Sequence, residues 1–293
     1  MTNSLEDFKD ILQRDVPLAK YTWLKVGGPA DYVLSPRSRD ELLAVVRCCS
    51  ASQIPVRVLG SGSNLLVSDE GVRGAVIRIV EPLLSAISTE GTRLTAESGA
   101  LLSHVVSESI RAGLAGMENL VGIPGTIGGA LRGNSGGRHG DIGELVRSIS
   151  VLTTEGEVVE RSGDELTFSY RRSSVIDLLI LSGTFQLRED DTESLTQRMR
   201  KNWIMKRATQ PLTDQSAGCI FRNPRGLSAG ALIEQCGLKG LAVDAARISD
   251  RHANFIVTED GATASQVHQL ISKVQSAVLD KFGVELELEI QTW

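Results

Sequence analysis

The stretch Leu120–Gly143, LVGIPGTIGGALRGNSGGRHGDIG, decides how this chain is read. It carries glycine at 122, 125, 128, 129, 133, 136, 137, 140 and 143. Glycine gives up more backbone freedom on folding than any other residue, so a domain concentrates it where left-handed turns or close backbone approach are needed. Successive N–H groups exposed by such a loop form an anion-binding concavity suited to phosphate or pyrophosphate. A flexible linker is the competing reading. Linkers are polar, however, whereas Ile123, Pro124, Ile127, Ala130 and Leu131 lie between these glycines. The loop should be packed and shaped, and it reads as one wall of a nucleotide site.

A second glycine turn stands upstream. Pro55 to Leu59 reads as a buried strand running into Gly60-Ser61-Gly62-Ser63-Asn64, a further candidate phosphate cradle. A lone Gly-x-Gly is a weak signal and a tight turn is its plain alternative, but two such loops in one chain strengthen each other. The Gly60 turn does not fit Gly-x-Gly-x-x-Gly. The chain also has no Gly-x-x-x-x-Gly-Lys-[Ser/Thr] loop and no Gly-x-Ser-x-Gly elbow. The two-loop site is therefore not an ordinary Rossmann fingerprint.

Composition bounds the rest. A chain of 293 residues, 41% hydrophobic and 23% charged, makes one large or two ordinary globular domains. A net charge of −5 argues against a nucleic-acid scaffold. The polar, acidic start from Met1 to Asp10 lacks the basic and apolar regions of a secretory signal. No apolar run has the length of a membrane span, so the expectation is a soluble protein without a membrane partner. The low cysteine count points to the reducing cytosol, hence a cytoplasmic protein, and no protein partner is implied. Cys48, Cys49, Cys219 and Cys236 are too few for a disulfide framework and have no zinc spacing, and the four histidines are scattered, so no metal site is expected.

Periodicity places the elements. Ser38 and Glu41 form a capping box ahead of Leu42, Leu43, Val45, Val46 and Cys49, which recur at helical spacing. Strands are expected at 31–34, 75–80 and 93–98, and a helix carrying Leu101, Leu102, Val105, Val106 and Ile110 ends at Gly113. A hairpin pairs 146–153 with 157–161 around Glu155-Gly156, and an apolar strand covers 178–187. A helix from Asp191 to about Arg207 stops before Pro211, and a domain boundary falls near 190. A short helix spans 229–236, a strand 255–258, and Thr263 and Gln266 cap a last helix with an apolar stripe. Val284 to Ile290 reads as a final strand with Glu285, Glu287 and Glu289 on one face. Periodicity singles out none of those carboxylates.

Candidates for chemistry are Cys219 in the turn SAGCIFRNP (216–224), the Tyr170-Arg171 pair, the basic residues before Pro211, and the terminal carboxylates. On chemistry alone Cys219 is more often a small buried hydrophobe than a reactive thiol. Together with YTWLKVGGPAD (21–31), LGSGSNLLV (59–67), GIPGTIGGA (122–130), FSYRRS (168–173), LIEQCGLKG (232–240), SDRHANFIV (249–257) and FGVELELE (282–289), the stretch at 216–224 makes eight motifs. In this order they resemble the UDP-N-acetylenolpyruvoylglucosamine reductase (MurB) family, from Tyr21 to Glu289. The form is similar to members without an extra substrate-covering insertion, because Leu187 runs directly into the next helix.

That resemblance implies an α+β fold. After an N-terminal segment (1–20), residues 21–189 would form an FAD-binding module of the vanillyl-alcohol oxidase (PCMH) type. Residues 190–293 would form a smaller α+β substrate domain. Gly60, Ser61, Gly62, Ser63 and Asn64, with Gly122, Ile123, Pro124, Gly125, Thr126 and Gly128, would hold FAD. NADPH would be the co-substrate, and UDP-N-acetylglucosamine enolpyruvate would be reduced to UDP-N-acetylmuramate for peptidoglycan. Arg171 would stabilise developing negative charge, Cys219 would donate a proton where many members carry serine, and Glu289 would support the same intermediate. Tyr170, Asn223, and Arg207 or Lys206 would meet the substrate. Another oxidase or dehydrogenase of the same FAD fold, or a flavin-binding homologue without turnover, are the alternatives. Three departures stand out: Arg132 and His139 where the family runs Asn-Ala-Gly-Ala around Asn134, and Thr258 where asparagine is common.

Overall fold

The computed structural model describes residues 5–79, 81–137 and 139–293. The first four residues of the expected N-terminal segment, Val80 at the end of the expected strand 75–80, and Arg138 in the glycine-rich stretch lie outside the described residues. The chain divides into two units that do not follow its order. One holds the chain up to Arg14, Asp31–Gly60 and Gly74–Met205; the other holds Asp15–Ala30, Ser61–Arg73 and Lys206–Trp293. The division passes through the first glycine turn, between Gly60 and Ser61.

In the first unit, helix α1 (Arg39–Ala51) buries Leu42, Val45, Val46 and both Cys48 and Cys49 in one apolar cluster with Ala75 and Ile77. Ser38 Oγ accepts the N–H of Glu41 at 3.2 Å, but the Glu41 carboxylate takes the N–H of Arg37 at 2.6 Å, so the expected box is half formed. The parallel strands Val56–Leu59 and Val72–Arg78 pair Val56 with Ala75 and Leu59 with Arg78.

A five-stranded antiparallel sheet follows, in the order Val158–Ser162, Val146–Leu152, Leu179–Gln186, Arg93–Glu97, Ile87–Glu90. Its central strands turn alternate side chains inward, as with Leu94 and Ala96. Helix α2 (Leu102–Arg111) and the single-turn α3 (Ile127–Arg132) share that core through Val105, Val106, Ile127 and Leu131. A Cβ at Gly183 would stand 2.8 Å from Leu131 Cδ1, so a glycine in the central strand is what lets α3 sit down on it. Helix α4 (Thr192–Thr209) then runs to the stop before Pro211.

The second unit is built on an antiparallel sheet ordered Gln215–Cys219, Phe255–Thr258, Ala246–Ile248, Ala242–Val243. Helices α5 (Ala229–Gln235) and α6 (Ala264–Phe282) pack with it. Val267, Leu270, Ile271, Val274 and Val278 of α6 are all buried, each contributing roughly 1.5–3 kcal/mol. The expected Thr263/Gln266 capping box is complete.

Two early segments belong here for visible reasons. Leu24, Val26 and Leu66 lie in the same core as α6. The Asp69 carboxylate accepts the N–H groups of Ala264 and Ser265 at 2.8 and 2.9 Å, placing negative charge where the helix exposes unpaired donors. Thr258, a departure in the sequence, is buried with Oγ1 donating to Leu24 O at 2.6 Å.

The expected final strand over 284–290 is not a ladder. Gly283 ends α6 at φ +66, and Leu286 and Ile290 are buried, so the alternating burial survives. Pairing is limited to one antiparallel bridge, Phe221 with Leu288. The partner segment cannot extend it, because Pro224 has no N–H and Asn223 turns to accept the N–H of Ala229. Strand pairing resumes at Gln291–Thr292, which runs parallel to Leu65–Leu66.

Candidate active site

The glycine-rich stretch has two halves of different construction. In the first, Gly122 and Gly125 take φ of +73° and +124°, conformations that side chains resist. The N–H groups of Ile127 and Gly128 go to the carbonyls of Ala100 and Ser98 at 2.9 and 2.8 Å, and Gly125 O accepts the N–H of Leu102 at 3.0 Å. The loop is thus laced to 98–102, with Thr126 bridged to Leu101. Gly128 is a glycine because a Cβ there would stand 3.0 Å from Ser98 Cβ. Ser98 is buried, and its Oγ has no hydrogen-bond partner among the described residues. A Cβ at Gly60 would stand 2.7 Å from Thr126 Oγ1, so the first glycine turn reaches the second at this point.

The second half holds Arg171. Arg171 sits in the two-residue turn between the short strands Phe168–Ser169 and Arg172–Ser173, at φ +55°. Its Nη2 donates to Gly136 O at 2.8 Å and its Nη1 to Asp141 Oδ1 at 3.1 Å, with the Tyr170 ring 5.0 Å away. Asn134, buried and itself at φ +44°, donates to Ser169 O at 2.8 Å and accepts the N–H of Gly143 at 2.9 Å, tying the loop to the same hairpin. Arg132 donates to the carbonyls of Val175 and Asp177, so the unusual arginine is a clip for the segment after the hairpin.

The segments that carry Cys219 and Glu289 meet in the second unit. Cys219 ends its strand opposite Phe255, after a register shift that follows Ser216, and it is half-buried. Gly218 at φ +78° makes that irregularity possible. The Glu289 N–H donates to the carbonyl of Ile220, the residue after Cys219, at 2.8 Å. Asn64 Nδ2 donates to Glu289 O at 3.3 Å, and Asn64 O accepts the N–H of Gln291 at 3.1 Å. The turn Ser61–Asn64 is therefore fastened to the segment that carries Glu289.

Asn254 completes this arrangement, and the sequence reading assigns it no role. It is buried, accepts the N–H of Phe221 at 3.0 Å, donates to Phe221 O at 2.8 Å, and takes the N–H of Ile220 on its own carbonyl at 2.9 Å. Three bonds from one residue hold the backbone just beyond Cys219. The available signal was an amide side chain directly ahead of the apolar run Phe255–Val257. Among the other candidates, Tyr170 and Arg207 are exposed, and Asn223 Oδ1 accepts the N–H that opens α5 at 3.0 Å. Cys49 is chemically quiet: burial pushes its thiol up to about 11. Among the described residues no cluster of three or more His, Cys, Asp or Glu could hold a metal ion, and no helix is long and apolar enough to cross a membrane.

The first half of the glycine stretch fits a dinucleotide cofactor. It combines left-handed glycines, a buried hydroxyl left without a partner, and a second glycine turn in contact. Residues 30–162 match the family model described as FAD binding domain, and residues 210–293 match the C-terminal domain of UDP-N-acetylenolpyruvoylglucosamine reductase. The chain is thus a flavoprotein: an FAD-binding module followed by a smaller α+β portion, as the sequence led one to expect. Over 294 aligned residues it is 40% identical to the UDP-N-acetylenolpyruvoylglucosamine reductase of Heliobacterium modesticaldum, covering 99% of this chain and 93% of that protein. It is 39% identical to UDP-N-acetylenolpyruvoylglucosamine reductase 2 of Symbiobacterium thermophilum, covering 96% and 92%. The crystal structure of the reductase (MurB) from Thermus caldophilus superimposes with a TM-score of 0.83 at 38% identity, covering 96% of this chain and 98% of that one. The chain belongs to the UDP-N-acetylenolpyruvoylglucosamine reductase family.

Proposed function

We propose that this protein reduces UDP-N-acetylglucosamine enolpyruvate to UDP-N-acetylmuramate with NADPH as co-substrate, and that Arg171, Cys219 and Glu289 carry the chemistry. The observation that carries the reading is the seating of Cys219 beside Glu289 through the Ile220 carbonyl, with Asn254 holding the same backbone. The backbone segments that carry the thiol and the carboxylate, distant in sequence, are joined and held by hydrogen bonds no longer than 3.0 Å.

In this reading residues 21–189 hold FAD through Gly60–Asn64, Gly122–Thr126 and Gly128, and residues 190–293 bind the sugar nucleotide. When bound, FAD supplies the hydride that adds to the terminal carbon of the enol ether. Negative charge then develops on the carbon beside the substrate carboxylate and on the carboxylate oxygens. The Arg171 guanidinium offsets that charge from a fixed position, so no reorganisation is needed as the charge appears. The Cys219 thiol gives its proton to the same carbon and is left as thiolate, which solvent reprotonates. A thiol with a pKa of about 8.5 surrenders that proton far more readily than a hydroxyl. Glu289 supports the charge distribution of the same intermediate. Tyr170 and Asn223, with Arg207 or Lys206, bind the uridine diphosphate moiety. The reaction is cytoplasmic and needs no protein partner.

The purified protein should be yellow and should oxidise NADPH only when the enolpyruvyl sugar nucleotide is present. In Cys219→Ala, NADPH should still bleach the flavin, while reoxidation by substrate should slow by about 10²–10⁴-fold, the usual worth of a positioned acid. A colourless protein that takes up no FAD overturns the whole reading. Normal reoxidation in Cys219→Ala removes the proton-donor role alone.

A further inference from the structure

Arg171 is held by its own unit with unusual completeness, and the residue that closes the hold is Asp141. The guanidinium lies at the end of a left-handed turn residue, a conformation that costs a non-glycine residue stability and persists only when neighbours over-determine it. Two of those neighbours come from one short hairpin, Gly136–Gly137 paired with Gly140–Asp141, in which Gly136 and Asp141 face each other. The Gly136 carbonyl takes Nη2 and the Asp141 carboxylate takes Nη1, at 2.8 and 3.1 Å. Both side chains are largely shielded, 17% exposed for Arg171 and 22% for Asp141, so solvent screens the pair only in part.

One glycine makes room for this contact and another for the hairpin that carries Arg171. A Cβ at Gly136 would stand 1.7 Å from Asp141 Oδ1, the oxygen that binds Arg171, and 2.6 Å from Asp141 Cα. A Cβ at Gly143 would stand 2.4 Å from Cγ of Phe168, the residue that opens the Arg171 hairpin. The second half of the glycine-rich stretch is thus a socket, and its glycines are places where a carboxylate or a ring has taken the space of a side chain.

We infer that Asp141 is a positioning residue for the reduction, acting through Arg171: its carboxylate fixes the direction of the guanidinium that offsets the substrate's developing charge. The inference rests on the role given to Arg171 above. A charge-assisted hydrogen bond of this kind is worth on the order of 10- to 100-fold in a rate that depends on it.

The test is a double-mutant cycle in the FAD-loaded full chain, with reoxidation of the reduced flavin by UDP-N-acetylglucosamine enolpyruvate followed at rapid mixing. Asp141→Asn, nearly isosteric, and Asp141→Ala are each made alone and with Arg171→Ala. The expected result is a loss of about 10-fold or more in the limiting reoxidation rate for Asp141→Ala, with a smaller change in the substrate concentration for half-saturation. In the Arg171→Ala background the Asp141 substitutions should cost less than about twofold further. Flavin content and melting temperature are recorded for each variant, and Asp141→Asn decides the matter if Asp141→Ala folds poorly. Additive losses, or full activity in both Asp141 variants while Arg171→Ala is slow, overturn the positioning role. A fast Arg171→Ala removes the role of Arg171 itself and leaves a result that is plainly different.

Discussion

The two halves of the glycine-rich stretch share a composition and differ in what the glycines do. From Gly122 to Gly128 the glycines adopt left-handed backbone or permit close backbone approach, and Ser98 Oγ is buried there without a partner. From Asn134 to Gly143 the space vacated by missing side chains is occupied by the protein itself: the Asp141 carboxylate at Gly136, the Phe168 ring at Gly143. In the proposed reading the first half serves the ligand, while the second is built around Arg171. A count of glycines cannot separate the two cases, because the same residue meets a demand for φ or a demand for volume.

The substitution that should break this contrast most severely is Gly136→Ala. The new methyl would have to displace Asp141, backbone included, so the Gly136–Asp141 pairing and the Arg171 contact go together. Overpacking of this severity costs about 3 kcal/mol, visible as a lower denaturation midpoint. Misplacement of a charged group by an ångström costs on the order of 100-fold, read here as slower reoxidation of the flavin by substrate. FAD should remain bound, since the first half of the stretch is untouched. Loss of flavin with retention of the Arg171-dependent rate would reverse the assignment of the two halves.

Much of this was legible in the chain. The strand-and-helix order of the first unit followed from periodicity and caps, which are local signals, as in the hairpin of 146–152 with 158–162. The pairing of 179–186 with 93–97 joins segments far apart in sequence and was not legible. The two-unit division was not, since Asp15–Ala30 and Ser61–Arg73 join the second unit through Leu24, Leu66 and Asp69, none of which carries a local signal for its distant partners. The strand expected at 284–290 had the right alternation and lacked a partner beyond Pro224, a fact about another segment. Asp141 gave no signal, and that of Asn254 was faint, for the same reason. Their importance lies in which backbone they bond, and one sequence does not show that.

Gly125→Ala attacks the other half and should be milder in its reach. At φ +124° an alanine is strained by roughly 1–3 kcal/mol, and relief requires the loop to move away from its bonded position against Leu102. Affinity for FAD, measured by quenching of flavin fluorescence, should fall by about tenfold or more. With FAD saturating, the substrate-driven rate should stay within about twofold, because Gly136 and Asp141, which bond Arg171, both lie in the second half. An equal loss in both measurements would mean that the halves are one mechanical piece.

Gly137→Ala should have the smallest effect and gives the contrast its control. Gly137 is next to Gly136, pairs with Gly140 in the same small hairpin, and is exposed. Among the described residues an added Cβ there meets nothing within 4 Å, and its φ lies outside the left-handed range that demands glycine. Surface substitutions of this kind fall within about 0.5 kcal/mol of neutral. Neutrality at 137 beside a severe loss at 136 would show that the second half depends on one vacated volume, the one filled by Asp141, and not on glycine for suppleness. If the two alanines were equally damaging, flexibility of the loop would be the property that matters, and the socket around Arg171 would lose its central support.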